Sequence, residues 1–104
     1  MIKTPPIKWE LKFSLLALKN LKALDKKTSK IILDYLYQKL ETEENPRRFG
    51  KPLSGNLKNF WRYRITDYRF ICEIKDHEFQ IIAVRVAHRR DAYKNIHFLK
   101  SSST

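Results

Sequence analysis

FWRYRITDYRFICEI, residues 60–74, decides the fold. On both sides of Thr66-Asp67, side-chain character alternates residue by residue, the pattern of strands that point successive side chains to opposite faces. A two-residue connection between two such strands makes an antiparallel hairpin. In the first strand, residues 60–65, Trp61, Tyr63 and Ile65 point one way and Arg62 and Arg64 the other. In the second, residues 68–75, Tyr68, Phe70, Cys72 and Ile74 form the core set, with Arg69, Ile71 and Glu73 opposite.

Downstream, after Asp76-His77-Glu78, FQIIAVRVA (residues 79–87) reads as a third strand. Strict alternation assigns Ile82, Val84 and Val86 to the core and Ile81, Ala83, Arg85, Ala87 and Arg89 to the other face; a bulge would flip part of that assignment. Arg62, Arg64, Arg69, Arg85 and Arg89 are thereby expected on one open face, balanced only by Glu73. Opposed like charges repel across strands. Such a cluster calls for an anion, and the planar guanidinium grips phosphate with two parallel hydrogen bonds.

Upstream, NPRRFGKPLSGN (residues 45–56) holds both glycines of the chain and two of its four prolines, and reads as a loop. Before it come two helical patterns. Ser14 caps the first, which carries Ala17, Leu18, Leu21 and Leu24 at helical spacing. After the polar joint Asp25-Lys26-Lys27, Thr28 or Ser29 caps the second, with Ile32, Leu33, Leu36, Tyr37 and Leu40 as its stripe and Glu41, Glu43 and Glu44 at its end. So short a joint makes the helices antiparallel neighbours. Residues 7–13 alternate Ile7, Trp9, Leu11 and Phe13, a further strand. The order is β-α-α-β-β-β: an α+β domain over residues 1–94, with a small, mostly antiparallel sheet and a helical hairpin packed on one face. The other face is left to solvent or a partner, and residues 95–104 are expected to be a frayed tail.

The 104 residues, 42% hydrophobic and 12% aromatic, suffice for one core. No apolar run approaches the roughly 18 residues of a membrane span, and no apolar N-terminal stretch serves as a signal. One cysteine, Cys72, excludes an internal disulfide framework and fits a reducing cytosol. With His77, His88 and His97 scattered, no structural zinc site is expected. The net charge of +11 is uneven: residues 1–44 carry nine lysines against six acids, whereas residues 45–104 carry thirteen basic residues against five acids and hold all eight arginines. That concentration points to a polyanion, nucleic acid first.

The segments that carry this pattern also carry a resemblance. LSGNLKNFWRYRITDYRFICEI (residues 53–74) and IIAVRVAHRRDAYK (residues 81–94), with LKNLKALDK (residues 18–26) and NPRRFGKPLSG (residues 45–55) before them, closely resemble the RelE branch of the RelE/ParE toxin–antitoxin superfamily. The resemblance spans residues 7–94. It implies a bacterial toxin that enters the ribosomal A site, cuts the mRNA codon there without metal or cofactor, and is neutralised by a RelB-like or other small antitoxin. Arg62, Arg64, Arg69, Arg89 and Tyr93 match the family's functional positions. The best-known RelE pattern has lysines where this chain has Arg62 and Arg64, and a guanidinium does not readily release a proton, so the general base is left open.

RNA cleavage without metal proceeds by attack of the ribose 2′-hydroxyl on the adjacent phosphate. Arg69 and Arg89 suit stabilisation of the phosphorane, Arg62 and Arg64 the positioning of phosphates, and Tyr93 base stacking or orientation of the hydroxyl. His88 has a suitable intrinsic pKa but falls on the core side by alternation, and stands as a secondary candidate. Arg47, Arg48, Lys51, Lys58, Arg85 and Arg90 are candidate RNA contacts. Two alternatives share the pattern: a ParE-like inhibitor of DNA gyrase without nuclease activity, and a non-catalytic RNA-binding domain.

Overall fold

The structure, a computed structural model, describes residues 9–41, 45–57 and 59–96. Five strands form one sheet: β1 (Glu10–Phe13), β2 (Lys51–Pro52), β3 (Phe60–Ile65), β4 (Tyr68–Lys75) and β5 (Gln80–His88), in the spatial order β1-β5-β4-β3-β2. β3, β4 and β5 form the expected antiparallel meander, and β1 pairs with β5 in parallel, Glu10 opposite Gln80 and Phe13 opposite Ala83. The segment expected as pure loop contributes β2, which sets Lys51 opposite Arg62 and Pro52 opposite Trp61. Proline is tolerated there because the strand is an edge. Ile7 and Lys8, at the start of the expected first strand, lie outside the described residues.

Helices α1 (Leu15–Ala23) and α2 (Lys26–Tyr35), the latter running on into a π-helical turn (Leu36–Leu40), cover one face. Ser14 caps α1, accepting from the Ala17 amide at 3.0 Å. The cap of α2 is Asp25 rather than Thr28 or Ser29: its carboxylate accepts from the Thr28 amide at 3.2 Å and the Thr28 hydroxyl at 2.6 Å. Those bonds hold the Asp25 carboxyl below its ordinary pKa. Thr28 and Ser29 already lie within the helix, where Ser29 instead donates back to the Leu21 carbonyl at 2.7 Å and ties α2 to α1. Ala17 and Leu21 of α1 and Ile32, Leu36 and Leu40 of the second stripe are buried against Tyr63, Phe70 and Cys72 of the sheet. Each large side chain so buried contributes about 1.5–3 kcal/mol relative to exposure.

Strict alternation fails in β5. Ile71 pairs with Arg85 but Cys72 with Ala83, so Val84 is an extra residue, a β-bulge. Before it the faces are exchanged: Ile81 and Ala83 are fully buried under the helices, and Ile82 and Val84 face the other way. After it, Val86 returns to the core and Arg85 and Ala87 to the open face. The backbone that β1 no longer covers is satisfied by α1. The Ser14 hydroxyl donates to the Val84 carbonyl at 3.3 Å, and the Asn20 side chain accepts from the Val86 amide at 3.0 Å.

Nor is the second face bare. Phe60 and Ile71 are buried there, with Leu53, Leu57, Val84 and Ile96 packed around them. Ile96 therefore belongs to the packed structure, Asn95 is exposed, and the rest of the expected tail lies outside the described residues.

Candidate functional site

The two-residue β3–β4 turn organises two arginines. Thr66 has a positive φ of 54° and Asp67 does not. Arg69 Nη1 donates to the Thr66 and Tyr68 carbonyls at 3.3 and 3.0 Å. The Arg89 amide donates to the Asp67 carbonyl at 2.7 Å, and Arg89 Nε lies 4.0 Å from the Asp67 carboxylate. The turn thus brings Arg69 and Arg89, 20 positions apart in sequence, to one end of the sheet. Asp67 was missed as a site residue; its only sequence signal was the shortness of the turn.

Arg64 stands directly opposite Arg69. The two like charges diverge. Arg69 turns onto the turn carbonyls, while Arg64, on a stretch of β3 that β2 does not reach, lines a groove with Asp34, Gln38 and Lys39. Arg62 lies elsewhere. It lines a groove of about 350 Å³ with Pro52, Leu53, Leu57, Tyr93 and Ile96. Tyr93 is 43% exposed there, and Lys51 stands beside Arg62 across the β2–β3 pairing. The structure therefore joins Arg62 with Tyr93 and Arg69 with Arg89, and separates Arg64 toward α2.

The remaining candidates are distributed differently. Arg85 lies on the open face, but its Nη1 donates to the Ala92 and Lys94 carbonyls at 3.0 and 2.7 Å. His88 pairs with Tyr68 on the helical side, its ring edge-on at 5.5 Å, and its Nδ1 accepts from the Arg90 amide and Nε at 3.2 and 3.4 Å. Both His88 and Arg90 are thus turned from the open face. Arg48 lies over the exposed Phe49 ring, and Lys58 lies outside the described residues.

Arg47 is held on the helical side, 5.6 Å over the Trp61 ring, with both Nη atoms on the Asp76 carboxylate at 2.7 Å. That fork pulls the Asp76 carboxyl below its ordinary value of 3.8. A depressed folded-state pKa contributes stability above the unfolded value and loses it as pH falls through the folded one. Wild type should exceed Asp76→Asn by about 0.5–1 kcal/mol at neutral pH, the discount of a partly exposed pair. The difference should shrink as pH falls below 3.8 and through the lowered folded-state value; urea titrations at neutral and at acid pH measure it.

Buried groups take no part. Burial pushes the Cys72 thiol and the Tyr63 phenol well above their ordinary pKa values, and the Tyr63 hydroxyl donates to the Pro46 carbonyl. Among the described residues no cluster of three metal-ligating side chains occurs, and no helix is long and apolar enough to cross a membrane. What remains is a cationic sheet face with one exposed tyrosine, able to bind a polyanion and to meet charge developing on a phosphate.

A basic α+β domain with this face belongs to a known class. Residues 11–93 match the model of the ParE toxin of the type II toxin–antitoxin system parDE, and the chain belongs to that family: it is a toxin of a type II toxin–antitoxin system within the RelE/ParE superfamily. Toxin RelG of Mycobacterium tuberculosis is 28% identical over 86 residues, 83% of this chain and 97% of RelG. The M. tuberculosis RelBE2 toxin–antitoxin complex contains a chain 26% identical with a TM-score of 0.74, matched over 86% of this chain and 100% of that one. The archaeal RelE–RelB complex of Pyrococcus horikoshii gives 25% identity and a TM-score of 0.63 over 82% and 99%.

Proposed function

We propose that this toxin is an endoribonuclease that cuts mRNA in the ribosomal A site. The observation that supports this best is the pairing of groups on one face: Arg62 and Tyr93 on a common groove, Arg69 and Arg89 on a common turn. In the reaction, the 2′-oxygen loses its proton to a base and bonds to phosphorus. The P–O5′ bond breaks and O5′ takes a proton, leaving a 2′,3′-cyclic phosphate and a 5′-hydroxyl. Arg69 and Arg89 neutralise the phosphorane, Arg62 and Arg64 hold backbone phosphates, and Tyr93 stacks on a base or orients the attacking hydroxyl. His88 is retained as a proton-transfer candidate only through rearrangement of its Arg90 contacts. No cofactor is assigned, and the cytoplasm is the site of action.

The partner is an antitoxin. Its docking surface is the apolar groove of about 650 Å³ between α1 and α2, lined by Leu18, Leu24, Leu33 and Tyr37 and edged by Lys22 and Lys30. An acidic amphipathic segment complements it.

Addition of the protein to a translation extract, followed by mapping of message ends, tests the reading. Cyclic-phosphate and hydroxyl ends within a codon, formed only when ribosomes are present, support it. The match to the ParE family model favours a second reading, gyrase inhibition. Intact message together with blocked DNA supercoiling would establish that reading instead.

A further inference from the structure

Arg85 is an open-face arginine to which the proposed chemistry gives no direct role. It stands in one cross-strand row with Lys51, Arg62 and Ile71. Its Nη1 donates to the carbonyls of Ala92 and Lys94, at 3.0 and 2.7 Å. Those carbonyls belong to the residues on either side of Tyr93. The turn is also closed on itself, the Asp91 amide donating to the His88 carbonyl at 2.8 Å and the Lys94 amide to the Asp91 carbonyl at 3.1 Å. Ala92 is fully buried beneath it, and Ile96 packs onto the Phe60–Ile71 cluster.

We propose that Arg85 is a positioning residue: it ties the Tyr93 turn to the sheet so that the Tyr93 ring and Arg62 stay on one groove. Charge-assisted bonds to these carbonyls hold the Ala92–Tyr93 peptide and the Lys94–Asn95 peptide, clamping the backbone before and after Tyr93 and with it the direction of its Cα–Cβ bond. The effect on catalysis rests on the nuclease reading; the tether itself does not. A displacement of about 1 Å in a positioned group costs about 100-fold in rate.

The experiment compares wild type with Arg85→Met, Arg85→Lys, Tyr93→Ala and the Arg85→Met/Tyr93→Ala double variant. It reads amide hydrogen exchange and single-turnover cleavage of ribosome-bound mRNA. In Arg85→Met, exchange at residues 92–96 should accelerate at least about tenfold while the β3–β4 amides keep their protection. Cleavage should fall about 100-fold, to the level of Tyr93→Ala, and the double variant should be no slower. Arg85→Lys should retain both properties, because one ammonium can donate to two carbonyls. Unchanged exchange in Arg85→Met overturns the tether. A double variant slower by the product of the single losses overturns the positioning role, since Arg85 would then touch RNA independently. Should Arg85→Met unfold, Arg85→Lys decides alone: normal exchange with a lost rate overturns the proposal, and retention of both supports it. If wild type itself cuts no message, the nuclease reading fails, while the exchange data still decide the tether.

Discussion

On the nuclease reading, Arg89→Ala should cleave ribosome-bound mRNA about 100- to 1000-fold more slowly than wild type, the loss that follows removal of one positioned donor to developing negative charge. The fold should not register the change. What anchors this residue is its backbone amide on the Asp67 carbonyl at 2.7 Å, a bond that any side chain preserves. The guanidinium side chain is 62% exposed and only 4.0 Å from its nearest carboxylate, so its removal costs less than about 0.5 kcal/mol of stability. A lysine should recover little, because a single ammonium does not reproduce the fork. Single-turnover rates beside urea midpoints make the measurement. An unchanged rate would remove Arg89 from the site, and a rate lost together with stability would reduce it to a structural residue.

The largest effect on stability is expected at Tyr63. Its ring is fully buried, leans on Phe70 at a centroid distance of 5.8 Å, and carries its hydroxyl to the Pro46 carbonyl. Gly50 is glycine on its account, since a Cβ there would stand 2.8 Å from the Tyr63 ring. Tyr63→Ala should cost about 3–5 kcal/mol. A domain of this size loses about 4–8 °C per kcal/mol, so the thermal midpoint should fall by at least about 12 °C. Tyr63→Phe separates the contributions. It keeps the ring and leaves the Pro46 carbonyl without its donor, at about 1–3 kcal/mol. A Tyr63→Ala protein that melts within a few degrees of wild type would show that the segment holding Pro46 and Gly50 does not lean on β3. Because Tyr63 sits between Arg62 and Arg64, its loss should also disperse the charged row and reduce cleavage.

The meander and the helical hairpin were legible because periodicity and turn length are local properties. Trp61, Tyr63 and Ile65 take the expected face, and Ser14 caps as expected. The faces of Ile81, Ile82, Ala83 and Val84 were not legible. Nothing local marks Val84 as the extra residue of a bulge, and its carbonyl is claimed by Ser14, 70 positions away. The candidate site divides in the same way. That Arg62, Arg64 and Arg69 occupy one face by register followed from alternation alone; that the Arg64 side chain turns toward α2 did not. That Arg47 is engaged by Asp76, and Arg85 by two carbonyls, followed from no spacing: one arginine looks like another until the chain supplies its partner. Asp25 took the cap expected of Thr28 or Ser29 because a carboxylate one turn earlier can accept from both the amide and the hydroxyl of Thr28.

The parallel ladder between β1 and β5 sets a clock on the newborn chain. Glu10 finds its partner Gln80 only after 70 further residues have been made, roughly 4–14 s at translation rates of about 5–20 residues per second. Through that interval the helical hairpin and then the β3–β4 hairpin can form, being local in sequence. Arg62, Arg64 and Arg69 are in existence by then; Arg89 and Tyr93 are not. On the nuclease reading, a toxin under synthesis is inert toward the ribosome that is making it, and its competence arrives only with the residues that follow its last strand.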